Sequence, residues 1–444
     1  MMHDICDCPV DLPSRVALED WNGVVRGFLS HCTQTPVHLG AVLEAAPGFA
    51  LGHAAKGLFS LMMGRAELTS VARDAYQTAQ QCSADRRAAL WVRALGEWLA
   101  GRPSAAIEAM EDVLRVYPTD TLSAKVSHAI RFILGDAVGM RRSVERILAA
   151  HEEHPLKGYL LGCHAFTLEE TGEYEAAETT GLQGLIYAPD DAWGLHAVAH
   201  VYDMTGRPDA GINLIEDNQS AWDHCNNFRT HVWWHKALLH LDRGELDLVL
   251  ALYDDQIRAD KTDDYRDIAN ATSLLMRLEL EGHSVGTRWD ELAVFAAKRV
   301  DDGCLVFADL HYMLALSGAG NSGARASMLM RAATDATRPG EMPARVADPG
   351  LAAMAGLDAF AKGRFDQAFQ NLAAARTKMQ TIGGSHAQRD VFERMTIDAG
   401  LRAGRLDRTE LILNERTSRR AGRDDSFAAS RRAAIAAARR IPAE

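Results

Sequence analysis

Apolar residues recur at intervals of three and four along nearly the whole 444-residue chain, while runs alternating apolar with polar are almost absent. That period predicts helices throughout and essentially no strands, and Ala, Leu, Arg and Glu, which dominate the segments, favour the same state. The helices read as pairs with regular punctuation. A glycine ends one helix, a small residue follows five positions later, and a proline often closes the second helix: Gly101, Ala106 and Pro118 are matched by Gly172, Ala177 and Pro189 at the same offsets. A glycine permits the tight reversal, and a small residue lets two antiparallel helices approach.

Gly172 and Gly206 stand 34 residues apart, the period of a tetratricopeptide-type helical hairpin array. Further turn glycines follow at Gly244, Gly282, Gly320, Gly363 and Gly404, with the interval drifting to about 38 residues, so the later repeats are irregular. The expected fold is an all-α solenoid in which each hairpin buries its apolar face against the next. Residues 1–20 read as an N-terminal extension, 21–415 as the array, and 416–444 as a basic capping helix or tail whose eight arginines between Arg416 and Arg440 form a solvated face. Residues 317–327 and 336–350 are rich in Gly and Pro and read as loops, marking a break between two subarrays.

Composition narrows the partners. With 48 basic against 60 acidic residues, net −12, the chain lacks the clustered cations that hold nucleic acid or an anionic membrane. No stretch of about 18 apolar residues appears, and MMHDICDCPVDLPSR has no basic segment followed by an apolar one, so a cytoplasmic location is expected. Seven cysteines, Cys6, Cys8, Cys32, Cys82, Cys163, Cys225 and Cys304, mostly stand singly in apolar helical stretches, which argues against a disulfide framework. Cys6 and Cys8, with His3 nearby, fall in a terminus expected to fray and are not expected to form a metal site.

The candidate chemistry is histidine. His196 and His200 in DAWGLHAVAHVYDM, and His231 and His235 in HVWWHKALLHLDRG, are each four apart, one turn of a helix, so each segment presents two imidazoles on one face. His196, His200 and Asp203 lie ten, six and three residues before Gly206, the offsets that face the concave groove of a tetratricopeptide array. His231 and His235 lie thirteen and nine before Gly244, offsets that converge on the same groove from the neighbouring helix, and Glu170, two before Gly172, offers a carboxylate. Lys, Arg and Asn clamp a peptide carboxylate in such grooves, but imidazoles are largely neutral at pH 7. Neutral imidazoles beside carboxylates suit a divalent Zn, Fe or Mn ion with an open coordination position. A metal-free polar ligand pocket, and structural histidines bonded to carboxylates or packed on Tyr202 and Trp234, stay open as alternatives.

Weaker candidates are His311, two residues after Asp309 on a first helix, and His128, both of which also read as core or rim histidines. After Gly383 and Gly384, Ser385 or His386 can cap a helix, and Arg389, in the run Gln388, Arg389, Asp390, can bind an anion or join an ion-pair patch. Trp233 and Trp234 fit helix packing, with no basic track beside them for base stacking. Phosphate-binding glycine loops, the Gly-x-Ser-x-Gly elbow and the His-Glu-x-x-His helix are all missing.

In residues 191–204, 231–254 (HVWWHKALLHLDRGELDLVLALYD), 281–292 (EGHSVGTRWDEL), 305–316 (LVFADLHYMLAL) and 383–394 (GGSHAQRDVFER), the chain resembles the tetratricopeptide repeat protein 38 family over roughly residues 20–415. The resemblance implies a helical repeat fold and supplies no reaction or ligand. Three functions follow as expectations: a groove-binding protein for a small molecule or peptide, centred on a divalent metal; a metal-dependent hydrolase or oxygenase using the same residues; and a protein interaction scaffold. Exposed end helices make a homodimer a further expectation.

Overall fold

The computed structural model describes residues 2–440. Among these residues it is an all-α array of helical hairpins with one two-stranded ribbon, Met2–His3 against Pro9–Val10. Ala50–Met62 packs on Leu68–Gln81, Arg86–Leu99 on Pro103–Val116, Lys157–Glu170 on Tyr174–Tyr187, and Leu351–Ala361 on Phe365–Arg376. All eight turn glycines of the sequence pattern, from Gly101 to Gly404, adopt positive φ. Gly172 shows why: at φ 86° a side chain is strained even though no atom lies within 4 Å of where its Cβ would be, so backbone conformation and not space selects glycine. Space selects Gly211, where a Cβ would stand 2.7 Å from Leu239 Cδ1.

Burial separates the two helices of a hairpin. In Val306–Gly318 every residue from Val306 to Leu316 is buried, whereas in its partner Ser322–Asp335 only Arg325, Met328 and Ala332 are. The first helix packs on both sides and reads as apolar all round; the second keeps one stripe inward.

The chain divides into two compact units, one containing the chain up to Val198 and the segment Asp217–Arg229, the other Ala199–Glu216 and the chain from Thr230 onward. Ser322–Asp335 is a helix and Glu341–Arg345 begins another helical turn, so 322–327 and much of 336–350 are not the loops expected. Their Gly and Pro residues sit in first turns and short kinks, which helices tolerate.

In the first unit residues 4–8 are tied to the helices, contrary to the expected fraying. Asp4 accepts from the backbone N–H of Cys6 (3.0 Å) and Cys8 (3.1 Å) and from Trp21 Nε1 (3.0 Å). Arg87, fully buried, bridges Asp4 (2.6 Å) and Asp120 (2.7 Å). Such a triad holds because each charge is paired; removing one partner of a buried pair typically costs about 3–5 kcal/mol. Burial pushes the thiols of Cys6 and Cys8 up, away from the thiolate that a metal requires.

In the second unit the C-terminal hairpin returns to helices far earlier in the sequence. Arg420 reaches Asp203, Arg431 reaches Glu281 (2.9 Å) and Asp398 (3.1 Å), and Arg416 holds Asp390 and Asp425 at 2.6 Å each. These three arginines are buried, while Arg419, Arg423, Arg439 and Arg440 are exposed, so the basic face expected for the segment is solvated only in part. Residues 441–444 of that expected tail lie outside the described residues.

Candidate metal centre

Helix Phe228–Asp242 is docked to helix Tyr265–Leu280 by a ladder of side-chain hydrogen bonds: Thr230 Oγ1 donates to Asp267 (2.8 Å), His231 Nδ1 meets Asn270 Oδ1 (2.9 Å), and Trp234 Nε1 donates to Ser273 Oγ (3.1 Å). Asp267, Asn270 and Ser273 recur every third residue, one buried polar stripe on the helix. Trp234 is fully buried, its ring 5.2 Å from that of His231 and 4.8 Å from that of His235. The two imidazoles are therefore fixed by packing as well as by hydrogen bonds.

His200, from helix Ala192–Met204, brings its Nε2 to 3.1 Å from His235 Nε2, which stands 3.1 Å from His231 Nε2. The ligand atoms of these three residues all lie within 4.8 Å of one another. Around one ion with metal–nitrogen bonds of about 2.1 Å, adjacent ligands stand roughly 3.0 Å apart in octahedral and roughly 3.4 Å apart in tetrahedral geometry. The two separations from His235 Nε2 fall in that interval. The three residues can hold a metal.

Protonation favours the same reading. With Nδ1–H donated to Asn270 Oδ1, His231 presents a bare Nε2 to its neighbours. Burial pushes the His231 imidazolium down to about 3, against the smaller upward pull of Asn270, with the charges of His200 and Arg266 adding to the depression. At neutral pH the ring is the neutral form that ligates. A ring nitrogen carries either one hydrogen or one lone pair, so a hydrogen on His235 Nε2 would point at one neighbour at a time, whereas a cation satisfies all three converging nitrogens.

His196 lies one turn before His200 on the same continuous helix. Within the first unit its ring stacks 5.5 Å from that of Phe166 and lies tilted 5.0 Å from that of Trp193, and its Nδ1 lies 3.4 Å from Trp193 O. Glu170 ends its helix half-buried in the first unit.

Three expected groove residues are engaged elsewhere in the second unit. Asp203 accepts from Arg420 at 3.0 Å, so the carboxylate expected beside the histidines closes an ion pair. His311 Nδ1 meets Thr272 Oγ1 at 3.0 Å, and its ring sits against Phe307 (4.6 Å) and Phe392 (5.2 Å); burial, with Arg277 nearby, pushes it down to about 3, so it is a neutral core histidine and not a groove ligand. Arg389 donates to the carbonyls of Gly383 and Gly384, bracing its own turn. Ser385 caps helix His386–Arg402 in a reciprocal box with Gln388. In the first unit both ring nitrogens of His128 are buried without a hydrogen bond, and its ring packs 5.5 Å from Trp193.

Two residues near the centre escape a reading of the sequence. Asn270 carries no motif; its signal is the Asp-x-x-Asn-x-x-Ser stripe. His386, whose ring lies 5.9 Å from that of His200, reads in sequence as a cap.

No family model matches the chain. A chain from the solved structure of Naa15/Naa10 bound to HypK-THB is similar at 12% identity and a TM-score of 0.26, over 91% of this chain and 64% of that one. This chain thus spans just under two thirds of that protein's length. No helix among the described residues is long and apolar enough to cross a membrane.

Proposed function

We propose that the protein is a tetratricopeptide-type binding protein whose second unit holds a divalent metal on His200, His231 and His235. The observation that carries this reading is the convergence of three Nε2 atoms, one of them oriented by Asn270. Three imidazoles leave coordination positions for a ligand, and a bound Zn, Fe or Mn ion would supply a Lewis acid there. The protein's own groups keep His231 neutral, fix the rotation of His231 and His235 through Trp234 and Asn270, and exclude bulk water, since His200 and His235 are almost fully buried. The occupant we infer is a small molecule or peptide segment that offers an oxygen or nitrogen donor to the ion. Catalysis by a metal-dependent hydrolase or oxygenase of the same site is the second reading, favoured by the open positions. Membership of the tetratricopeptide repeat protein 38 family accords with the helical-hairpin fold and remains part of the proposal.

Elemental analysis of untagged protein purified without chelator tests it. Near-stoichiometric Zn, Fe or Mn in the native protein and its loss from His200→Ala/His235→Ala, with helical content unchanged by circular dichroism, is the expected result. Native protein that is metal-free and takes up none of the three ions on titration overturns the metal reading.

A further inference from the structure

In the first unit, the segment Asp217–Arg229 folds back onto the end of helix Arg15–Leu29. His31 turns the chain through a left-handed conformation (φ 58°), uncommon for a residue other than glycine. Its ring stacks 4.4 Å from that of Phe228, and its carbonyl accepts from Asn226 N at 2.8 Å. That bond sets a register in which Cys32 and Cys225 face each other across an isolated antiparallel bridge.

The type of bridge matters. Cys32 N donates to Gly27 O and Cys225 N to Trp222 O, so the two cysteines exchange no backbone bonds; the bond is made by the flanking pair His31 and Asn226. A non-hydrogen-bonded antiparallel pair has Cα atoms about 4.5 Å apart and side chains on the same face. A disulfide needs Cα atoms roughly 4.4–6.8 Å apart. A pair of that type falls within the range.

We propose that Cys32 and Cys225 are a redox-responsive pair, a site of reversible disulfide formation with a small-molecule disulfide as oxidant. Both are thiols in this structure. Cys32 is half-buried and reachable, while Cys225 is 5% exposed, its Sγ 3.3 Å from Ser30 O. Burial, with the neighbouring Asp191 and Cys32, pushes the Cys225 thiol up to about 12, so the accessible Cys32 acts first. The Cys32 thiolate attacks one sulfur of the oxidant, forming a mixed disulfide and releasing one thiolate. Cys225 then attacks the Cys32 sulfur, its proton passing to solvent or to the released thiolate, and the second thiol leaves. Two protein thiols are oxidised by two electrons and the oxidant is reduced to two thiols.

The bond would tie residue 32 to a segment that leads directly into the helix carrying His231 and His235. The remaining cysteines have no such partner geometry among the described bridges. This inference uses only first-unit residues and does not depend on the metal.

The test is oxidation of the full chain with oxidised glutathione, followed by thiol titration and peptide mapping without reductant. The expected result is two fewer titratable thiols and one cross-linked peptide joining Cys32 to Cys225, reversed by dithiothreitol. Cys225→Ser should instead accumulate glutathione on Cys32, because the second step is lost, and Cys32→Ser should form neither product at Cys225. Wild-type protein that keeps glutathione on Cys32 without cross-linking, or that cross-links another pair, overturns the proposal. The wild-type measurement stands even where a serine variant fails to fold.

Discussion

His231 Nδ1 meets Asn270 Oδ1 at 2.9 Å, joining two helices and deciding which ring nitrogen faces His235. Outer-shell partners of this kind commonly govern about 10–100-fold in metal affinity. Asn270→Leu is therefore expected to weaken metal binding by about that factor while leaving the three histidines in place, and Asn270→Asp to keep or strengthen it, since a carboxylate accepts the same hydrogen bond and raises ring basicity. Competition against a chelator of known affinity reads both. Equal affinities for wild type and Asn270→Leu would remove Asn270 from the centre.

The buried histidines give the metal-free protein an acid limit. His231 and His311 are each pushed down to about 3 in the folded state, against about 6.5 for a free imidazole. Between those values the unfolded chain binds more protons than the folded one, so stability is full above pH 6.5 and falls as pH drops towards 3, by at most about 1.4 kcal/mol per pH unit for each ring. Urea midpoints of chelator-treated protein between pH 7.5 and 5 should fall, and His311→Leu should reduce that slope. A variant whose slope matches wild type refutes the assignment to His311.

Asp191 has the opposite sign. Burial pushes its carboxyl up to about 7, against the downward pull of Lys125 and of the N–H groups of Gly194 and Trp193. The folded state binds more protons than the unfolded one between about 3.8 and 7, so the ionised form is a penalty that grows as pH rises through that window. Asp191→Asn keeps a capping side chain and is expected to stabilise the protein more at pH 8 than at pH 5, by about 2 kcal/mol. Denaturant unfolding at the two values decides it, and a gain independent of pH would show that ionisation of Asp191 is not the source.

Arg420 meets Asp203 from 217 residues away in sequence and also donates to the Asp203 carbonyl at 2.8 Å. Arg420→Ala leaves a largely buried carboxylate without that partner, and a loss of about 3 kcal/mol is expected. The double variant Arg420→Ala/Asp203→Asn should recover part of it, because the orphaned charge is gone. Additive losses in the cycle would mean that the two residues do not interact.

The hairpins were legible because their determinants are local. Each turn glycine needs only its own backbone to demand a positive φ, and the small residue five positions later, 0% exposed at Ala106 and Ala177, answers a contact within the same hairpin. The i, i+4 spacing of His200 with His196, and of His235 with His231, is local in the same sense.

Residues that meet across long separations were not legible. Asp203 occupies a groove offset as regular as that of His200, yet Arg420 captures it. The terminus that looked frayed is held by Arg87, 83 residues from Asp4. The pattern along the chain determined the helices, their reversals and which faces carry imidazoles, since neighbours within a few residues decide these. Tertiary structure alone decided which imidazoles present their Nε2 atoms to one another and which charges are consumed in pairs. Burial strips water from a polar group, and the partner that replaces that water is chosen by packing and not by sequence distance.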